Sequence, residues 1–476
     1  MNLALDHRLL PPALVAATGV CVGLAAAKSI TLALAVGVLA IGICALAVSP
    51  AYWALAAVAA AVIGPGLASA GLAPAFTAYL HFPICAAAFV VAVARYRGGS
   101  RPANVALAAC GFLALSCTLS TFFAGDAAAR GLLSFALLGE PIALIAIIAC
   151  VDPSAKEFAN LRKALLLIVL VQLPVAYIQI ASVGLGALFQ EGASYADKVT
   201  GTFGKLGGAN TVSAIGVVGG IWLLALPRRP GRVTAAIALL ALPLFARTYK
   251  VLLAIPAILV ASPRAAGLRA PLRIGVVFLL IALLLFVPSL LPRYVTPSLE
   301  GSLSTESRKA QAFDVAWDNL NNGLGNFAFG VGPAETVSGA AFLTTDPLVK
   351  ANSPIRYLHI TPSQTAVELG ALEHDNTSSF LQAQSSAFGL LGDLGVFGFA
   401  VYASFFVWLF LRLFGTATPE AVAASAGLLL LLILGFATDG WEIPSLTLFV
   451  GFLAALALLP VASRPADGDD RFLGFG

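Results

Sequence analysis

One imidazole and a handful of cations, all in polar segments of an otherwise apolar chain, are the groups with chemistry to offer. His374 lies in Glu373-His374-Asp375-Asn376. An imidazole titrates near neutrality, so a loop histidine beside acids is suited to taking a proton from a hydroxyl as a general base. A solvated surface histidine is the alternative, and His359 in the same loop is the competitor; His7 and His81 stand elsewhere. The cations are Arg308, the pair Arg247 and Lys250, and the pair Lys198 and Lys205. A guanidinium matches a diphosphate in geometry, and an anion of that charge needs several cations. Snorkelling anchors at a bilayer boundary are the other account of Arg247 and Lys250.

Two carboxylates fall inside apolar runs, where an ionisable group is costly and faces a cavity or a partner. Glu140 stands in Leu138-Gly139-Glu140-Pro141 and Asp393 in the twelfth run; each could relay protons, act as a counter-ion or line a substrate cavity. The glycines of Gly201-Thr202-Phe203-Gly204-Lys205-Leu206-Gly207-Gly208 lack the spacing and the preceding strand of a nucleotide-binding loop. All six cysteines (Cys21, Cys44, Cys85, Cys110, Cys117, Cys150) sit in apolar segments without ligand spacing, as packing residues do.

The elements that must carry these groups are membrane helices. The chain has 476 residues, 59% hydrophobic and 11% charged, with a mean hydropathy of +0.94. That charged fraction is less than half the ~25% of a soluble domain, and the 45 glycines suit helices packed closely in lipid. The fold class is an all-α polytopic membrane protein of about 14 transmembrane helices, 12 to 14 allowing for short runs. Spans are expected at 10–27, 29–48, 51–69, 77–94, 103–123, 131–151, 162–183, 209–226, 233–246, 249–262, 273–292, 385–411, 419–438 and 443–462. Arg8, the apolar run after it and Ala25-Ala26-Ala27 superficially resemble a signal peptide; an uncleaved first span is expected instead. The chain thus divides into helices 1–11 over 1–292, a polar loop over 293–384, helices 12–14 over 385–463 and a tail over 464–476.

With a cytoplasmic amino terminus, 16 of the 27 Lys and Arg fall on the inner side, in four successive loops, after the twelfth run and near both ends. The long loop then lies outside, in the periplasm of a Gram-negative cell. Inside it, Ala310, Phe313, Ala316, Trp317 and Leu320 recur at helical spacing between Ser304-Thr305-Glu306-Ser307 and Asn322-Gly323. This predicts an amphipathic helix of about fifteen residues with Arg308 in its first turn. The stretch 325–333 reads as a turn-rich connection, and 362–371 as a second short helix.

Four places resemble the O-antigen ligase and Wzy-type polymerase family of bacterial envelope glycosyltransferases. Lys198-Val199-Thr200-Gly201-Thr202-Phe203 followed by Asn210 is similar to the family's R-x-x-G-x-F and nearby N, with Lys in place of Arg. Ala246-Arg247 resembles its S-R, with Ala in place of Ser. Glu306-Ser307-Arg308, Trp317 and Phe329-Gly330-Val331-Gly332-Pro333 resemble the S-G-R, W and G-x-G series that opens the large outer loop. His374-Asp375-Asn376 through Leu381, then Asp393-Leu394-Gly395-Val396-Phe397-Gly398, resemble H-N-x-x-L and E-x-G-x-x-G, with Asp375 a departure. The match covers roughly 195–400.

The resemblance implies transfer of an undecaprenyl-diphosphate-linked oligosaccharide to an acceptor hydroxyl on a glycan or glycolipid, with inversion and without a metal or other cofactor. It assigns Arg247 and Arg308 to the diphosphate and His374 to the acceptor. Lys198, Lys205, Lys250, Asn210 and Asp393 become substrate-binding residues, Asp393 by orienting a loop residue or lining the cavity. Trp317, Phe327, Tyr357 and Trp441 could stack on sugars or pack the loop core. The bilayer, a chain-length regulator and other polysaccharide assembly proteins are the implied partners, nucleic acid is not, and the inner membrane is the implied location. A polymerase is preferred because fourteen spans exceed the twelve usual for ligases; a ligase and a flippase of lipid-linked oligosaccharides are the alternatives. A flippase should show two similar halves, and no internal repeat stands out.

Overall fold

The computed structural model describes residues 49–125, 128–184, 199–203, 208–227, 229–246, 248, 251, 308–345, 385–414, 416, 418–437 and 440–459. Among them there is no strand. The helices are α1 (Pro50–Ser69), α2 (His81–Arg95), α3 (Arg101–Ala124), α4 (Ala128–Val151), α5 (Ala155–Val183), α6 (Gly208–Ala225) and α7 (Pro230–Phe245), then α8 (Arg308–Asn321), α9 (Leu324–Phe329), α10 (Gly339–Thr345), α11 (Ser386–Phe414), α12 (Pro419–Ala437) and α13 (Pro444–Leu458). Short 3-10 turns occupy Ala75–Tyr79, Gly201–Phe203 and Gly440–Glu442. Among the described residues eight helices are long and apolar enough to cross a membrane, and α7 and α13 are shorter apolar helices. The protein is a multi-pass membrane protein. Four of the expected spans, 10–27, 29–48, 249–262 (apart from Val251) and 273–292, and the tail 464–476 lie outside the described residues.

Local chemistry sets where helices begin. Ser154 and Glu157 form a capping box at α5, the Ser154 amide donating to Glu157 Oε2 (2.9 Å) and the Glu157 amide to Ser154 Oγ (3.4 Å). Ser100 caps α3 by accepting from the Ala103 amide, and Gly125 ends that helix in the left-handed conformation.

The centre of the bundle is α13, whose residues Ser445 to Ala457 are all buried, against α1, α4, α6 and α12. In lipid, apolar burial alone does not drive helices together; close van der Waals contact does, and small residues permit it. Gly216 and Gly220 accordingly bring α6 against Leu239 and Ala236 of α7. The alternation of helices places Arg95, Arg97, Arg101, Lys156, Arg162, Lys163, Arg229, Arg232 and Arg412 at one end. There Arg162 pairs with Glu420 across α5 and α12 (3.0 Å). The segment 308–345 docks on the other end.

In that segment α8 runs over Arg308–Asn321 and stops before Asn322-Gly323, as its periodicity predicts for that end; 304–307, which carry its start signal, lie outside the described residues. Its apolar residues split: Ala316 and Leu320 are buried, whereas Phe313 and Trp317 stay exposed. The turn-rich connection is in part a helix, α9, because the carbonyl of Gly323 accepts from the Phe327 amide and starts a turn that Gly330 closes. The helix α10 had no periodic signal, being only 7 residues long. The second short helix expected at 362–371 lies outside the described residues.

Close packing at Gly66 offers a test of the interface between α1 and the 201–203 turn. A methyl group there would overlap the Thr202 carbonyl, whereas one at Gly111 would meet nothing within 4 Å. Gly66→Ala is expected to destabilise the purified protein by about 1–3 kcal/mol, while Gly111→Ala leaves it unchanged or slightly more stable. Equal melting temperatures for the two variants would contradict the packing.

Candidate functional site

The site is organised by a break in a membrane helix. α11 is interrupted at Gly395, which takes φ +65° and ψ −171° within the otherwise helical run. Only glycine adopts that conformation without strain, and a Cβ there would also press on Ala328 and on the Gly330 nitrogen (2.5 Å). The break frees carbonyls that a continuous helix would have used. Two of them are taken by other segments: the Gly392 carbonyl accepts from the Val331 amide (3.0 Å), and that of Asp393 from the Gly332 amide (3.3 Å) and from Ser120 Oγ (2.6 Å).

The Asp393 side chain, 2% exposed, turns to the same segment. Its Oδ2 accepts from the Ala334 amide (2.8 Å) and Ser338 Oγ (2.6 Å); its Oδ1 accepts from the Thr336 amide (2.8 Å) and faces Thr336 Oγ1 (2.6 Å). A carboxylate offers about four lone-pair sites, so four donors occupy it fully. Of the two roles expected for Asp393, orienting a loop is the one its contacts serve. Glu442 does the same work one step along, accepting from the amides of Gly339 (2.7 Å) and Ala340 (3.1 Å) where α10 begins. Arg130, at the start of α4, is ion-paired with Glu335. Beneath, Ala334, Ala340 and Ala341 pack on Leu133 and Leu137 of α4, with Phe82 and Leu343 at the edge.

A second cluster forms at the loop end of α6. Gln172 and Gln179, two turns apart on α5, hold the turn at 199–203 through its backbone. Gln179 Oε1 accepts from the amides of Thr200 (2.9 Å) and Gly201 (2.8 Å), and its Nε2 donates to the Gly201 carbonyl (3.1 Å). Gln172 Oε1 accepts from the Thr202 amide (3.1 Å) and its Nε2 donates to Thr202 Oγ1 (2.7 Å), which itself donates to the Val62 carbonyl (2.8 Å). Gly201, at φ +58°, lies where a Cβ would meet Gln172 Oε1 and Val212, both at 2.6 Å. The motif glycine is therefore required by two constraints at once. On α6 itself, half-buried Asn210 stands one turn before Ser213. Ser213 Oγ accepts from Thr248 Oγ1 (2.6 Å), so the chain that follows α7 returns to this helix.

Of the residues expected to do chemistry, Arg308 opens α8, Asn210 lies in the first turn of α6, and Asp393 is the loop anchor. His374, Arg247, Lys198, Lys205 and Lys250 lie outside the described residues, as does Tyr357. Their neighbours are held: Ala246 and Val199 are buried, and Thr248 is bonded. Glu140 meets His81, whose Nδ1 is 2.9 and 3.0 Å from its two carboxylate oxygens in the interior between α2 and α4. Trp441 is buried and donates its indole N–H to the Leu431 carbonyl (2.8 Å), so it packs the helix ends and presents no stacking face. Among the described residues no three His, Cys, Asp or Glu side chains gather as metal ligands would.

Sequence reasoning missed Gln172, Gln179, Thr336, Ser338 and Glu442. The glutamines carried a signal, since seven residues is close to two helical turns and a polar pair on one face of an apolar run needs a partner. Thr336 and Ser338 carried none, because hydroxyls are ordinary in a loop.

No protein-family model and no curated protein matches the chain.

Asp393→Asn would turn an amide nitrogen toward two of the four donors. Since a hydrogen bond to a charged group contributes about 1.5–3 kcal/mol, amide exchange at Ala334 and Thr336 is expected to quicken roughly ten- to a hundredfold. Glu442→Gln should quicken Gly339 and Ala340 instead. Wild-type exchange at 334–336 in Asp393→Asn would remove the anchor role.

Proposed function

We propose that this protein is an integral membrane glycosyltransferase that joins a polyprenyl-diphosphate-linked glycan to an acceptor hydroxyl, and that it polymerises lipid-linked repeat units. The supporting observation is the pairing of segments far apart in sequence. The 199–203 turn, Asn210 and the chain beside Arg247 gather on the loop end of α6. The stretch Gly330–Pro333, continued to Ser338, is bonded to the Gly392–Asp393 stretch of α11. The described parts of the four motifs thus lie in two joined pairs at one end of the bundle, the end opposite Arg95, Arg162 and Arg412.

In the proposed reaction His374 takes the acceptor hydroxyl proton as the oxygen attacks the anomeric carbon. The bond from that carbon to the diphosphate oxygen breaks, and its electron pair leaves with the lipid diphosphate. Arg247 and Arg308, aided by Lys198, Lys205 and Lys250, offset the charge that develops there. A single displacement inverts the anomeric centre. Asp393, Glu442, Gln172 and Gln179 hold the backbone around these groups and touch no reacting atom. On this reading the site faces the periplasm from a bacterial inner membrane.

The buried pair of His81 and Glu140 favours a second reading, a proton-coupled transporter of lipid-linked oligosaccharide, since intramembrane acids with a histidine partner serve such relays.

Complementation of a strain lacking the gene, with glycan length read on gels, separates these. His374→Ala and Arg308→Ala are expected to lose polymer and accumulate single repeat units on the outer face. Polymer left on its lipid carrier would indicate a ligase, and repeat units trapped on the inner face a transporter. Normal polymer from correctly inserted variants of both residues would overturn the catalytic assignment.

A further inference from the structure

α8 and α9 expose apolar residues that nothing among the described residues covers. Phe313 is 41% exposed, Trp317 50%, Phe327 46% and Leu324 88%. At about 100° per residue, α8 divides into three sectors. Ala316 and Leu320 face the bundle, Phe313 and Trp317 fill the adjacent sector, and Asp314, Asp318 and Asn321 occupy the sector after that, exposed. A helix surrounded by water would place its charged residues next to the buried seam on both sides. Here an aromatic strip lies between protein on one side and acids on the other.

That strip continues into the membrane-facing surface of the bundle. Phe313 packs on Phe388 at the start of α11 (5.2 Å, 67°), and Phe388 on Phe436 of α12 (6.1 Å, 78°), which is itself exposed on a membrane-crossing helix. On the other flank Phe329, the last residue of α9, stacks on Phe123 of α3 (4.8 Å, 1°), beside the exposed Phe122. Phe123 and Phe436 lie in the last turns of helices that cross the membrane, which is the level of the headgroups. Tryptophan is favoured there because its ring joins an apolar body to one N–H donor, which suits Trp317 to that boundary, while the phenylalanine rings are wholly apolar and face its hydrocarbon side.

We infer that α8 and α9 form an interfacial element whose aromatic strip, Phe313, Trp317, Leu324 and Phe327, is seated in the outer boundary of the same bilayer the bundle spans. The partner is the lipid surface itself. Three observations agree on it: the sector order of α8, the two aromatic bridges to lipid-facing rings, and an apolar exposure that a water-facing loop would bury or replace. Seating the helix in this way fixes its height, so that the first residue of α8, Arg308, starts at the level of lipid phosphates. The inference stands on these contacts and does not depend on the proposed glycosyl transfer.

The test uses the full chain in lipid nanodiscs. The fluorescence of Trp317 is isolated as the difference between the wild-type protein and Trp317→Phe, which cancels Trp53, Trp222, Trp408 and Trp441. With a phosphatidylcholine brominated close to its headgroup, most of that difference signal is expected to be lost, while aqueous iodide removes little of it. A second reporter, Leu324→Trp, adds a ring at the most exposed position and should behave alike, which guards against a fold change in Trp317→Phe. Quenching by iodide with no effect of brominated lipid, at both positions, would overturn the inference. So would protection from iodide that appears only when a soluble oligosaccharide is added, since the strip would then be a sugar platform and not a lipid contact.

Discussion

The structure depends on one constraint: backbone N–H and C=O groups buried in a bundle that crosses lipid must be paired, because no water is there to take them. Breaking α11 at Gly395 opens carbonyls in the interior, and that is tolerable only if another segment supplies donors. The stretch from Val331 to Ser338 does so. Its amides and hydroxyls reach the Gly392 carbonyl and both ends of Asp393. The helix break and the docked loop are thus two halves of one hydrogen-bonded arrangement. The buried carboxylate of Asp393 belongs to the same account. Leaving it unpaired would cost several kcal/mol, whereas four donors make it a rigid anchor.

The opposite flank solves the same problem without charge. A primary amide has an acceptor and donors on one group, so Gln172 and Gln179 imitate a neighbouring backbone and pair the amides and carbonyls of the 199–203 turn. Both devices hold backbone with an acidic or a neutral side chain, and neither uses a cation to do so. Arg130, ion-paired with Glu335, shows the contrary case of a cation employed by the loop itself.

Several elements were legible from residues alone, for local reasons. Apolar runs of sufficient length mark α1, α3, α4, α5, α6, α11 and α12, because hydropathy is a sum over neighbours in sequence. The spacing of Ala310, Phe313, Ala316, Trp317 and Leu320 predicts α8 for the same reason. Which of those residues faces protein and which faces outward is not local: Ala316 and Leu320 are buried while Phe313 and Trp317 are exposed. The short helices α9 and α10 are below the length at which periodicity can be read. The Asp393-x-Gly395 spacing was visible as a motif, yet an unbroken twelfth span was expected around it, since a glycine in an apolar run is compatible with a continuous helix.

By itself the sequence determined that the chain crosses a membrane many times, that its cations favour one side, and that its polar residues gather in one long loop and two short ones. These follow from transfer free energies and charge, which are properties of segments. Tertiary structure decided the pairings: Asp393 with Ser338 and Thr336, Glu140 with His81, Glu442 with the start of α10, and Ser120 with a carbonyl 273 residues away. A hydrogen bond has a reach of about 3 Å and a direction. No pattern along the chain encodes which distant donor will stand at that point.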